Sequence, residues 1–178
     1  MTCTHLVVMG VAGCGKSTVA HALQNRLGWA IADGDDFHPA GNIAKMSSGT
    51  PLTDDDRWPW LDLIADWTAQ RDGAHNSTIV TCSALRRVYR DRLRAAPGRT
   101  LFVHLAGSHD LLAARMAGRT DHFMPPSLLL SQLATLEPLE QDEDGFVIDI
   151  DRSVDEITDL VMAHLNDPTT NHPTEVLP

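Results

Sequence analysis

Gly10-Val11-Ala12-Gly13-Cys14-Gly15-Lys16-Ser17 follows the apolar run Leu6-Val7-Val8-Met9 and precedes a stretch with Val19, Ala20, Leu23 and Leu27 on one helical face. The pattern G-x-x-x-x-G-K-[ST] between a strand and a helix is that of a phosphate-binding loop. Glycines let the chain curl with its N–H groups aimed inward, where side chains would block the approach of phosphate oxygens. Gly10, Gly13, Cys14, Gly15, Lys16, Ser17 and Thr18 are therefore expected to hold a nucleoside triphosphate. Lys16 reaches the β- and γ-phosphates, Ser17 offers its hydroxyl to Mg²⁺, and the helix start adds its partial positive charge.

Working outward, 5–9 reads as a first buried strand and 16–27 as a helix stopped by Gly28. The run 29–32 is a second strand ending in Asp33-Gly34-Asp35-Asp36, which puts acids at a strand's carboxyl end, the edge where open α/β sheets bind ligands. A short helix is expected over 42–47, and a longer one from a Thr53 or Asp54 cap to about 71. Its tryptophans Trp58, Trp60 and Trp67 read as core. Strands follow at 78–82, 100–105 and 146–149, separated by helices at 83–95, 108–117 and 127–136 and followed by one after Ser153 or Asp155. The acidic stretch 137–145 reads as exposed. Five apolar strands alternating with helices imply an α/β fold, a five-stranded parallel sheet in a three-layer α/β/α sandwich.

The chain of 178 residues suits one domain, expected over 1–165, with a polar, proline-bearing tail at 166–178. A net charge of −10 disfavours nucleic acid or an anionic membrane as partner. Three cysteines, odd in number and without metal-ligand spacing, fit a reducing compartment, and neither a leader nor a membrane span is read. The expected location is the cytoplasm.

The loop alone does not separate a kinase from a GTPase or a nucleotide-binding scaffold. The second strand does, since it is expected to neighbour the loop and to bring Asp33 and Asp35 to one side. One carboxylate, Asp33, is assigned to Mg²⁺; the other, Asp35, is assigned to the proton of an acceptor hydroxyl. Asp36 suits a solvated turn. No N-K-x-D motif supports a GTPase, and an intact Lys16, Ser17, Asp33 and Asp35 argue against a scaffold.

The succession G-V-A-G-C-G-K-S-T at 10–18, D-G-D-D-F-H-P at 33–39, N-I-A-K-M-S-S-G-T-P-L at 42–52 and D-D-D-R-W-P-W-L at 54–61 resembles the gluconokinase family. So do C-S-A-L-R-R-V-Y-R-D-R-L-R at 82–94, H-F-M at 122–124 and S-Q-L-A-T-L-E-P-L-E at 131–140. The resemblance implies ATP-dependent phosphorylation of D-gluconate at its 6-hydroxyl, a P-loop kinase fold related to shikimate kinase, and a homodimer. A shikimate kinase or a kinase of another polyol acid is the alternative.

A polyol acid needs hydroxyl partners and a cation for its carboxylate. Arg57 is the first choice for that cation, with pairing to Asp54, Asp55 or Asp56 as the competing reading. His38 and Lys45 flank the same segment, 37–72, as substrate contacts. Ser83 and Ala84 are expected to open a helix whose N–H groups bind substrate oxygens. Arg87 and Arg90 are candidates to face the substrate, while Arg92 and Arg94 suit surface ion pairs. Cys82 is rejected as a nucleophile, because direct transfer to a hydroxyl needs no covalent intermediate. By similarity, 119–126 is a mobile lid, with Arg115 and Arg119 for the adenine and the transferring phosphoryl group.

Overall fold

The computed structural model describes residues 2–118 and 126–166. Five parallel strands, β1 (Thr4–Met9), β2 (Ala30–Asp33), β3 (Thr78–Thr81), β4 (Arg99–Ala106) and β5 (Gly145–Asp149), stand in the order β2-β3-β1-β4-β5. Between and after them run α1 (Lys16–Leu27), α2 (Ala40–Ser47), α3 (Asp54–Gly73), α4 (Arg87–Arg94), α5 (His109–Ala117), α6 (Pro126–Thr135) and α7 (Val154–Asn166). A single 3-10 turn, Gly34–Phe37, follows β2.

Alternation along the strands sorts the core into two layers. Leu6, Val8, Ile79, Leu101 and Val103 pack toward Val19 and Leu23 of α1 and Ile157 and Val161 of α7. Val7, Met9, Val80 and Phe102 face the other way, onto Trp60, Leu61 and Ile64 of α3 and Tyr89 and Leu93 of α4. Each such side chain contributes about 1.5–3 kcal/mol by leaving water, so the sheet is the rigid base on which its loops are set.

β3 stands between β1 and β2, with Asp33 opposite Thr81 and Thr81 opposite Val8. Two expectations change. Residues 83–86 are not helical; α4 starts only at Arg87, and Ala84 sits at φ 46°. The acidic stretch after α6 is not wholly exposed, because Glu143 is buried at 1%. The predicted helix starts fare better. Thr53 and Asp56 form a reciprocal capping box on α3, and Ser108 caps α5 through Leu111 N.

Candidate functional site

The loop after β1 is held open by its glycines. Gly10 takes φ 140°, and a Cβ there would lie 2.7 Å from the Leu105 carbonyl and 2.8 Å from Cys14 Sγ. Gly15 caps α1 in the left-handed region, and α1 has neither a side-chain cap nor an acid in its first turn. Its first N–H groups and the positive end of its dipole are thus directed at whatever anion the loop receives. Lys16 Nζ donates to the carbonyls of Gly10 (3.0 Å) and Val11 (3.1 Å), neutral partners that a phosphate can replace.

Asp33 reaches this loop although its strand is two places away. Its Oδ1 accepts from Thr81 Oγ1 (2.8 Å) and Asp35 N (3.0 Å), which fixes the carboxylate and starts the 3-10 turn. Its Oδ2 accepts from Ser17 Oγ at 3.4 Å. One hydroxyl and one carboxylate oxygen at adjacent positions fit Mg²⁺, which keeps water and phosphate oxygens for its other positions. Among the described residues no group of three His, Cys, Asp or Glu side chains gathers as a metal site.

The turn that carries Asp35 has almost no room. A Cβ on Gly34 would lie 2.1 Å from the Thr81 carbonyl, so β2 and β3 approach as only glycine allows. Trp60 Nε1 donates to the Gly34 carbonyl (2.7 Å) and its ring stacks on His38, centroids 4.1 Å apart. Trp60 is core, as expected of it, and also lines the cleft. Burial, with the nearby Arg57 charge, pushes the His38 imidazole down to about 4.

Lys16, Ser17, Asp33, Asp35, His38 and Arg57 open onto one cleft of about 250 Å³. Arg57 donates to the Leu52 carbonyl and to Tyr89 Oη (3.3 Å), and its guanidinium lies 5.3 Å over the Tyr89 ring. Asp54 is 3.8 Å away and belongs more closely to Arg86, at 2.8 Å, and to the Tyr89 hydroxyl. Ser83 lines the same cleft, and its carbonyl accepts from Gly10 N at 3.3 Å, tying this segment to the phosphate loop.

Several residues fall elsewhere. Lys45 donates to both oxygens of Asp56, each at 2.7 Å, and so ties α2 to α3. Ala84 is buried and offers no helix N-terminus. Arg87 faces Asp91, Glu140 and Asp142, the last through paired contacts of 2.8 and 2.7 Å. Arg90 is fully buried against Glu143 and the carbonyls of Glu137 and Pro138. Carboxylates and carbonyls hold these two cations, so neither is a substrate contact in this structure. Burial pushes the Cys82 thiol up to about 12, which suits a packed side chain and no nucleophile. Arg119 and the segment 119–125 lie outside the described residues, as do residues 167–178.

A second hollow, about 340 Å³, lies behind the loop between α1, α5 and α7. Cys14, Gly15, Thr18, Arg115 and Arg152 line it, and Arg115 Nη2 donates to the Ile150 carbonyl at 2.8 Å. Sequence reading missed α6 as a wall of the main cleft. Leu128, Ser131, Gln132 and Thr135 all line it, and Gln132 Oε1 accepts from Ala12 N at 2.7 Å. Their spacing of i, i+3, i+4 and i+7 puts them on one face, where Ser131, Gln132 and Thr135 form a polar stripe on an otherwise apolar helix, a signal present in the sequence.

Fold and site together define a phosphate-loop α/β protein whose loop faces a carboxylate-bearing strand edge. Residues 6–139 match a family model described as an AAA domain. The chain is 47% identical over 159 residues to a gluconokinase of Gluconobacter oxydans, covering 89% of each. It belongs to the gluconokinase family. A solved gluconokinase from Sinorhizobium meliloti is similar at a TM-score of 0.84 and 47% identity, with 94% of each chain covered. A sugar kinase structure from Janibacter sp. has a TM-score of 0.89 and 47% identity, covering 97% of this chain and 99% of that one.

Proposed function

We propose that this protein is a gluconokinase, transferring the γ-phosphoryl group of ATP to the 6-hydroxyl of D-gluconate to give 6-phospho-D-gluconate and ADP. One observation carries the reading: Lys16, Ser17, Asp33, Asp35 and Arg57, from three separate stretches of the chain, line a single cleft. Membership of the gluconokinase family supports the choice of acceptor.

In this reading the loop amides and Lys16 hold the β- and γ-phosphates, and the hollow beside Arg115 and Arg152 takes the nucleoside end. Mg²⁺, held through Ser17 and Asp33, supplies charge neutralisation on the phosphates. Asp35 accepts the proton of the acceptor hydroxyl and aims its oxygen at the phosphorus. Arg57 pairs with the gluconate carboxylate, while His38 and Ser83 meet hydroxyls along its chain. Arg119 neutralises charge on the transferring group from the lid. Phosphoryl transfer depends mostly on such positioning and charge, so little covalent chemistry is asked of the protein.

The chain works as one domain over 1–165, with an acceptor segment at 37–72 and a lid at 119–126. It acts in the cytoplasm as a homodimer. Three free cysteines suit a reducing location. Among the described residues no helix is long and apolar enough to cross a membrane. A coupled ADP-release assay across gluconate, shikimate, other sugar acids and nucleoside monophosphates tests the assignment, with gluconate expected to be turned over best. An inert gluconate beside an active competitor overturns it.

A further inference from the structure

His38 lines the cleft beside Asp35 and Asn42 packs behind it, the two at 9% and 5% exposure. Asn42 Nδ2 donates to the main-chain carbonyl of Asp56 at 2.8 Å. A carbonyl only accepts, so this contact decides which end of the Asn42 amide is nitrogen. The same nitrogen lies 3.3 Å from His38 Nδ1. An amide nitrogen only donates, so Nδ1 must be the accepting, unprotonated ring nitrogen. The proton of the neutral imidazole is then on Nε2, which faces Asp35 Oδ1 at 3.8 Å.

We propose that Asn42 is a positioning residue that locks His38 as its neutral Nε2–H tautomer, so that the cleft presents a donor beside the Asp35 carboxylate. The proposal rests on the reading of this cleft as the acceptor site. The separation of 3.8 Å exceeds a direct hydrogen bond. An oxygen about 2.8 Å from each atom closes the triangle, accepting from Nε2–H and donating to Asp35. That is the arrangement an acceptor hydroxyl needs, since its lone pair is oriented by one group while its proton is drawn to the other. An imidazolium here would neutralise Asp35 and weaken it as a base.

Burial under Trp60 and the Arg57 charge oppose protonation of the ring, while the Asp35 carboxylate is the group that favours it. Trp60 covers one face at an interplanar angle of 16°, and Arg57 of α3 adds a positive charge nearby. Asp35 approaches from the 3-10 turn, with an 81% exposed side chain. On the α3 side, Asp56 is held by Lys45 and by the Thr53 cap, and Asp54 by Arg86 and the Tyr89 hydroxyl. Protonating His38 would also turn Nδ1 into a donor facing a donor, which would break the Asn42 contact.

The test is long-range ¹H–¹⁵N correlation on histidine-labelled full-length protein, with the His38 signals assigned by a His38→Gln variant. The expected spectrum shows His38 protonated on Nε2 only and unchanged between about pH 5.5 and pH 8. Asn42→Asp removes the donor and supplies an acceptor for Nδ1–H. It should shift His38 toward the Nδ1–H or doubly protonated form and add an ionisation to the pH–rate profile. It should also cut kcat/KM for gluconate about 10- to 100-fold with the KM for ATP within about 2-fold. An Nδ1–H tautomer in the unaltered protein, or a His38 that titrates near its ordinary value, overturns the inference even where gluconate is a good substrate. A locked Nε2–H tautomer in a protein that phosphorylates no sugar acid upholds the lock and overturns the acceptor reading instead.

Discussion

Replacing Arg90 with methionine separates two roles for a conspicuous cation. Arg90 has no exposed surface and gives its Nε and Nη2 to the two oxygens of Glu143, at 2.6 and 2.9 Å. Its remaining donors reach the carbonyls of Ala84, Glu137 and Pro138 at 3.3, 3.0 and 3.0 Å. Methionine keeps most of the stem but strands the Glu143 carboxylate, which is itself fully buried. Breaking one side of a buried pair costs about 3–5 kcal/mol, because the other charge stays uncompensated. At roughly 2–4 °C per kcal/mol for a chain of this size, the melting temperature should fall by about 6–20 °C. Urea unfolding followed by tryptophan fluorescence measures the loss directly. Arg90→Met with Glu143→Leu removes both charges and should recover a large part of it. In well-folded protein below the transition, the KM for gluconate should stay within about 3-fold, since no part of Arg90 lines the cleft. A loss under about 1 kcal/mol, or a double variant no more stable than the single, refutes the buried-pair reasoning. A large KM effect at unchanged stability would restore Arg90 as a substrate contact.

Asp35→Asn should collapse turnover by at least about 100-fold and leave ATP binding by calorimetry nearly unchanged; near-normal turnover would remove Asp35 as acceptor of the proton. Arg57→Leu should raise the KM for gluconate at least about 10-fold with little change in the KM for ATP, and an unchanged gluconate KM counts against carboxylate pairing. Stability should depend on pH through His38 and His104, both pushed down to about 4, His104 by burial with Arg90 nearby. The unfolded chain then takes up protons first, so their contribution, of order 3 kcal/mol each, is fully present above about pH 6.5 and is lost as pH falls toward 4. His104→Gln should flatten that slope by about half in denaturant titrations at pH 4.5–7, and an unaltered slope would exclude His104 as its source.

The strands and helices were legible because each has a strong local pattern, such as the apolar run before Gly10 or the Thr53–Asp56 capping box. Strand order was not, because the insertion of β3 between β1 and β2 is a pairing between residues far apart in the chain. The start of α4 shows the same limit at a single residue. Arg86 precedes it with no side-chain cap of its own, and the N–H of Arg87 donates instead to Glu137, 2.6 Å away. That carboxylate lies 50 residues downstream, so the sequence around Ser83 carries no sign that the helix begins late. The phosphate loop and the Asp33–Asp35 pair were readable because a glycine loop between strand and helix and acids at a strand's carboxyl end are local patterns. The face of α6 that carries Ser131, Gln132 and Thr135 was readable in principle, beside apolar neighbours such as Leu129 and Leu133 that pack into the core.

Charge explains why the misread arginines could not have been sorted by type. The chain carries a net charge of −10 yet has to bring together two anionic ligands. Arg86, Arg87, Arg90, Arg92, Arg94 and Arg99 are each committed to a carboxylate at 3.3 Å or less. Apart from Arg94–Asp91 within α4, these pairs fasten α4 and the start of β4 to α3 and to the stretch 137–144, and their fields largely cancel at a distance. Lys16 and Arg115 instead rest on backbone carbonyls, and the nearest carboxylate of Arg57 stands 3.8 Å off. A cation held by a neutral dipole keeps most of its charge available, so an incoming phosphate or carboxylate gains more than it displaces. Cations without a carboxylate at hydrogen-bond distance therefore include Lys16 and Arg57 in the cleft and Arg115 in the hollow behind the loop. This division favours ligand anions that can enter a narrow site over polyanions that need a broad basic face, which is the selectivity a small-molecule kinase requires.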